Sequence, residues 1–297
     1  MKRNAIVRIV LFSLALLVLL SILGVALAVD RFGFSLSDIR RESEDGFEAP
    51  PSPMAIDDEI CTSSFDASDL HSIDIDWAAG NIYILTDAKA TQITVSEPAM
   101  GSAKEQMVCT VSGKTLKIEF SQEDFHVIGI HKDFSKDLAI TVPLSWNCQE
   151  LELDVASANV EIYNMTIRTV DFDGASGVCS FTDCMVTELD VDTASGDIQF
   201  TGSLENLECD AMSASCQLAL TNHPHTVDIS TMSGDLLLVL PEDCGFTLSM
   251  DAMSSKFTSD FPTTISNGSH IHGDGSCRIH VDGMSGDVVI RKNTEQQ

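Results

Sequence analysis

The chain has 297 residues, 44% of them hydrophobic, and a formal net charge of −28 from 17 Lys and Arg against 45 Asp and Glu. Binding of nucleic acid or anionic lipid requires a basic patch, and none is found in so acidic a chain. Nine cysteines without a CxxC spacing exclude a complete intramolecular disulfide framework and favour mostly free thiols.

Residues 1–8 carry Lys2, Arg3 and Arg8 and read as a short cytoplasmic segment. The following nonionic run, Ile9–Val29, is 21 residues long and long enough to cross a bilayer as a helix. Its basic flank would stay inside, placing the rest of the chain outside the cell membrane as a single-pass protein. A signal peptide cleaved near Ala28, after Ala26-Leu27-Ala28, is the competing reading and would leave a secreted protein. Residues 30–68, acidic at Glu42–Glu48 and Pro-rich at Ala49–Pro53, read as a linker.

From residue 69 to 297 one phrase recurs: an alternating strand, a corner with a small residue, a second alternating strand. Taking the corner residue as position 0, the copies centre on Ala79, Ser157, Ser176, Ser195, Ser213, Ser233, Ser254 and Ser285. From Ser157 the spacings are 19, 19, 18, 20, 21 and 31. Positions −6, −4, +3 and +5 are apolar in every copy except at Ser259. A period of two within each half marks strands that bury one face. A period near 19 marks a stacked coil. The fold predicted is all-β, a parallel β-solenoid of coils, with successive copies lying on one another in register and an N-terminal transmembrane helix. Residues 86–150 interrupt the repeat and read either as a degenerate part of the stack or as an antiparallel cap. Gln92–Val95, Gln106–Val111, Thr115–Phe120 and Leu138–Val142 still alternate there, and Ser112-Gly113-Lys114 reads as a hairpin turn.

Chemistry concentrates on the outward positions of the first strand. Position −5 holds Asp74, Glu152, Asp171, Asp190, Glu208 and Asp228, then Ser249 and His280. Position −3 holds Asp76, Asp154, Asp173, Asp192, Asp210, Asp251 and Asp282, with Ser230 the exception. Like charges facing one another across strands repel, so something must offset them. The −3 aspartates are expected to fold into the corner and accept its backbone N–H groups. The sharper alternative is a divalent cation such as Ca2+, with Asp173, Asp190, Asp192, Glu208 and Asp210 as candidate ligands. The −5 row serves solubility or docks cationic groups.

Other residue types carry less. His223-x-His225 and His270-x-His272, the latter with Asp274, have metal-ligand types but sit in loops. Met212, Met232, Met253 and Met284 share position −1 and read as corner packing rather than a soft-metal row. The recurring serines lack a GxSxG setting and a matching His, and a residue repeated in every coil is a turn residue rather than a nucleophile. No catalytic residue, cofactor or nucleic-acid partner is assigned.

The corners at Ala194–Phe200, Met232–Leu238 and Met284–Ile290, with the strand ITVP at Ile140–Pro143, resemble the DUF4097 family of bacterial β-repeat proteins, grouped as candidate adhesins. The resemblance spans roughly residues 70–291. It implies a surface-exposed, often membrane-anchored β-solenoid and no enzyme. The function expected is an adhesin-like binding or scaffold module with an unknown surface or envelope partner. An accessory or sensor in envelope-stress signalling is the alternative, and a polysaccharide-processing enzyme ranks last.

Overall fold

The computed structural model describes residues 60–98, 106–120 and 135–293. The stretches read as a cytoplasmic segment (1–8), a transmembrane helix (9–29) and a linker, the last as far as residue 59, lie outside the described residues. Among the described residues no helix is long and apolar enough to cross a membrane.

Period-two alternation produces strands throughout. They are β1 Ile60–Asp66, β2 Ser72–Asp87, β3 Gln92–Pro98, β4 Val108–Ser112, β5 Thr115–Glu119, β6 Leu138–Pro143, β7 Cys148–Tyr163, β8 Thr166–Ser176, β9 Val178–Ser195 and β10 Asp197–Ser213. There follow β11 Cys216–Leu220, β12 Thr226–Ser233, β13 Leu236–Leu240, β14 Phe246–Ser254, β15 Phe257–Ser259, β16 Thr264–Ser266, β17 Ser269–His272, β18 Cys277–Ser285 and β19 Val288–Lys292. The sheet thus begins by Ile60, inside the segment 30–68 read as linker: β1 pairs antiparallel with β3.

Parallel pairing joins the repeats at equal positions. Ala79 faces Ser157, Ser157 faces Ser176, Ser195 faces Ser213, and Ser213 faces Ser233. The inward columns are sealed: Ile75, Leu153, Phe172, Val191 and Cys209 are buried, as are Ile82, Val160, Cys179, Ile198 and Cys216. Each such side chain contributes on the order of 1.5–3 kcal/mol through apolar burial.

At both ends the stack departs from chain order, which corrects the expectation of successive copies. Ser233 pairs with Ser285, and Ser285 pairs in turn with Ser254. The last copy therefore fills a slot between the sixth and seventh. The copies carry nearly the same apolar columns, Ser259 excepted, so these columns alone do not set which copies are neighbours. The seventh copy suits the outermost rung. Met250, Phe257 and Ser259 are only partly buried there, and the Ser259 hydroxyl accepts the Phe261 N–H at 3.0 Å. In a closed column that hydroxyl would meet only aliphatic neighbours, a costly burial.

At the other end β5 and β6 form a rung outside β2, which lies between them and β7. The β4–β5 hairpin turns at Gly113, β3 adds antiparallel to β6, and β1 adds antiparallel to β3. The segment 86–150 therefore supplies one coil as well as antiparallel strands that extend the sheet at this end. A buried ion pair, which the sequence did not announce, lies within this segment and packs against Trp77 of β2. Lys136 Nζ lies 2.9 Å from Glu97 Oε2, and 4.3 Å from the ring centre of Phe120. Glu97 also accepts the Met107 N–H, and the Trp77 indole donates to the Lys136 carbonyl at 2.9 Å.

The corner column explains the small residues. A Cβ on Gly196, at φ +149°, would lie 2.1 Å from the Gly177 carbonyl oxygen one rung away. Only glycine suits that backbone at that approach.

Candidate functional site: an acidic wall

The register converts the two outward rows into ladders. Along position −5 the rungs run Lys117, Asp74, Glu152, Asp171, Asp190, Glu208, Asp228, His280 and Ser249. Along position −3 they run Glu119, Asp76, Asp154, Asp173, Asp192, Asp210, Ser230, Asp282 and Asp251. Adjacent rungs in a sheet are about 4.8 Å apart. Carboxylates at that spacing raise one another's affinity for protons, and partial burial adds to it.

The effect peaks mid-wall. Burial first, then the carboxylates of Glu208 and Asp171, push Asp190 up to about 6. Burial, then Asp173 and Asp210, push Asp192 up to about 6. Glu152, Asp154 and Asp173 are raised by the same two causes in the same order. A cation offsets one end of the wall: the Lys117 ammonium pairs with the Asp74 carboxylate. At the other end His280 Nδ1 lies 3.0 Å from the Ser249 hydroxyl.

The −3 aspartates do not serve the corner as expected. Among the described residues none of their side chains bonds to corner backbone. Position +2 does that work instead. The Ser215 N–H donates to Asp197 at 3.2 Å, the Asp287 N–H to Asp235 at 2.7 Å, and the Lys256 N–H to Asp287 at 3.1 Å. Alternation explains the difference. Position −3 lies within the strand and points outward, whereas +2 opens the second strand, within reach of the next rung's N–H.

The repeat model of the family described as Toastrack DUF4097 matches residues 70–206 and again 146–291. The chain belongs to the Toastrack DUF4097 family. No curated protein matches it. Among solved structures, this Toastrack chain is similar to a candidate adhesin from Bacteroides fragilis NCTC 9343, at 14% identity and TM-score 0.47, over 79% of this chain and 97% of that one. A second candidate adhesin, from Parabacteroides distasonis ATCC 8503, matches at 12% identity and TM-score 0.40, over 79% and 98%. A candidate lipid-binding protein of the same strain matches at 13% identity and TM-score 0.39, over 80% and 96%.

Within the Toastrack wall, the five residues singled out for a cation occupy three neighbouring rungs. Asp173 faces Asp192, Asp192 faces Asp210, and Asp190 faces Glu208. Among the described residues no three His, Cys, Asp or Glu side chains converge tightly enough to hold a metal ion. The histidines are placed for packing. His272 stacks near Phe261 with ring centres 4.9 Å apart and has Nδ1 2.8 Å from the Pro262 carbonyl, while His270 lies 4.6 Å from Phe257. Asp274, expected as a third ligand, instead accepts the Ser276 N–H at 3.0 Å. His223 lies 3.0 Å from Asp243.

The methionines correct a further expectation. Met232 and Met284 are 53% exposed and Met253 is 85% exposed, so they do not pack the corner. Continuing the alternation from −5 and −3 to −1 would have placed them outward. One cleft opens onto the wall, about 220 Å³ in volume, where Asp74, Lys117, Glu150 and Glu152 line its mouth. Lys117 stands in it as a built-in cation.

Proposed function

We propose that the acidic wall is a non-catalytic docking face for cationic groups, and that this Toastrack chain works as an adhesin-like or scaffold module at the cell surface. One observation carries the reading. The register lines up carboxylates on six consecutive −3 rungs from Glu119 to Asp210 without bonding them to the corner backbone. Such a row weakens the fold, because like charges face one another. A row kept at a cost to stability suits a partner that brings the opposite charge. The Lys117–Asp74 pair shows the kind of contact such a partner would make. Repetition also argues against an enzyme, because a catalytic acid pair is singular and these acids recur on every rung.

The nonionic run at residues 9–29 supports an anchor that holds the wall outside the membrane. Because the wall is rigid, little ordering is needed on contact.

Binding of octalysine to the full chain tests the docking reading. Affinity should fall steeply with added salt, as for exposed charge pairs. Asp171→Asn with Asp190→Asn and Asp192→Asn should weaken it roughly ten-fold. Equal binding by that variant, or none by the native chain at low salt, contradicts the proposal.

A further inference from the structure

The swapped order of the last two copies has a consequence at position −1. There the first four copies carry Ala78, Ala156, Ala175 and Ala194, and the later ones carry methionine. With Ser285 inserted between Ser233 and Ser254, the rungs run Met212, Met232, Met284, Met253 without a break. Alanine at the same place elsewhere shows that the corner has no need of a long side chain. Three of the four are more than half exposed.

This thioether stripe lies directly beside the acidic wall. Two residues back along the strands, at the next outward position, stand Asp210, Ser230, Asp282 and Asp251, and beyond them Glu208, Asp228, His280 and Ser249. On its other side are the corner serines and glycines. The surface is therefore an apolar row with the carboxylate ladder along one flank, and with the corner residues separating it from Asp235 and Asp287 on the other.

We infer that the methionine stripe and its acidic flank form a docking site for a cationic amphipathic helix. The inference rests on the docking function proposed above and specifies the partner's shape. Geometry supports a helix. Four rungs at about 4.8 Å span about 14 Å. A helix laid along them offers one apolar residue per 5.4 Å turn, so about three turns match four methionines. Its basic residues then fall over the −3 and −5 carboxylates. Flexible, polarisable methionine adapts to differing apolar side chains and is over-used at surfaces that accept such helices. Charge complementarity selects this occupant over a neutral apolar strand, which would leave the acids beside it uncompensated.

The test uses the full chain and two labelled peptides made from the same leucines and lysines, one patterned as an amphipathic helix, the other shuffled to remove its apolar face. Fluorescence anisotropy should show the patterned peptide binding more tightly. Met232→Gln with Met284→Gln should weaken it roughly ten-fold and leave the shuffled peptide unchanged, since only apolar contact is removed. Met232→Leu with Met284→Leu should stay within about two-fold of the native chain, because apolar area is kept. If the Gln variant binds the patterned peptide as well as the native chain does, the stripe is not the site, although the acidic wall still binds cations. Equal loss in the Leu and Gln variants would also overturn the helix site, since it would mark a ligand of the sulfur itself. Binding of neither peptide by the native chain would overturn the wall reading as well.

Discussion

Ser233 pairs with Ser285, while Ser254, the next copy in the chain, lies on the far side of Ser285. The outermost rung thus belongs to the copy with the weakest apolar columns. Ile290, in a closed rung, is fully buried, and its register partner Ser259 is half-buried on the last one. Ile290→Ser should cost about 3–5 kcal/mol, from lost burial and a stranded hydroxyl. Ser259→Ile should change stability by about 1 kcal/mol or less, the worth of its one hydrogen bond. Urea denaturation of both variants measures the contrast.

Acid should stabilise the fold. Asp190 and Asp192 bind protons more tightly folded than unfolded, with values raised from 3.8 to about 6. Between those limits the native state holds more protons, so stability rises as pH falls from 7 toward 5 and is lost as pH climbs through about 6. Asp66, Asp243 and Asp274, lowered by their hydrogen bonds, act in the opposite direction but below 3.8, outside this window. Thermal melts from pH 5 to 7 should show a falling Tm. Asp190→Asn with Asp192→Asn should flatten the slope and raise the Tm at pH 7.

The corner tolerates no side chain at Gly196. At φ +149°, a Cβ would press on the Gly177 carbonyl oxygen at 2.1 Å. Gly196→Ala should destabilise by about 1–3 kcal/mol from backbone strain alone, and more where the rung cannot shift. Ala214, in the same column, is buried without that backbone conformation, so Ala214→Gly should cost far less. Paired melting curves separate the two.

The Glu97–Lys136 pair is buried at both ends. Glu97→Gln would take a buried carboxylate from the Lys136 ammonium, which lies against the rings of Trp77 and Phe120, a loss of about 3–5 kcal/mol. Glu97→Gln combined with Lys136→Met should recover part of that loss, which a double-mutant cycle by denaturation would show.

Much of this was legible in the sequence. The alternation at Val191 and Ile198 fixed which residues face inward, and the spacing of the corner residues set the register between Ser157 and Ser233. The acidic ladders followed from the same alternation. Rung order was less accessible, because equivalent apolar columns do not say which copy neighbours which. The 31-residue step and Ser259 were its only traces. The sequence does not say which aspartate serves the corner, because Asp192 and Asp197 both flank the turn and only the backbone shows which carboxylate reaches a neighbouring N–H. Residue type suggests packing for Met232 and Met284, although their position in the alternation points outward. The Glu97–Lys136 pair joins segments outside the repeat, where no periodicity could bring the two together.

Stacking in this order is tested most directly by engineered disulfides. Facing residues on adjacent strands lie within the Cα separation a disulfide can bridge, about 4.4–6.8 Å, whereas residues two rungs apart, at about 9.6 Å, do not. Under mild oxidation Ser233→Cys with Ser285→Cys should give a bridged peptide by mass spectrometry, and Ser233→Cys with Ser254→Cys should not. A bridge in the second variant and none in the first would contradict the stack, and with it the unbroken methionine stripe.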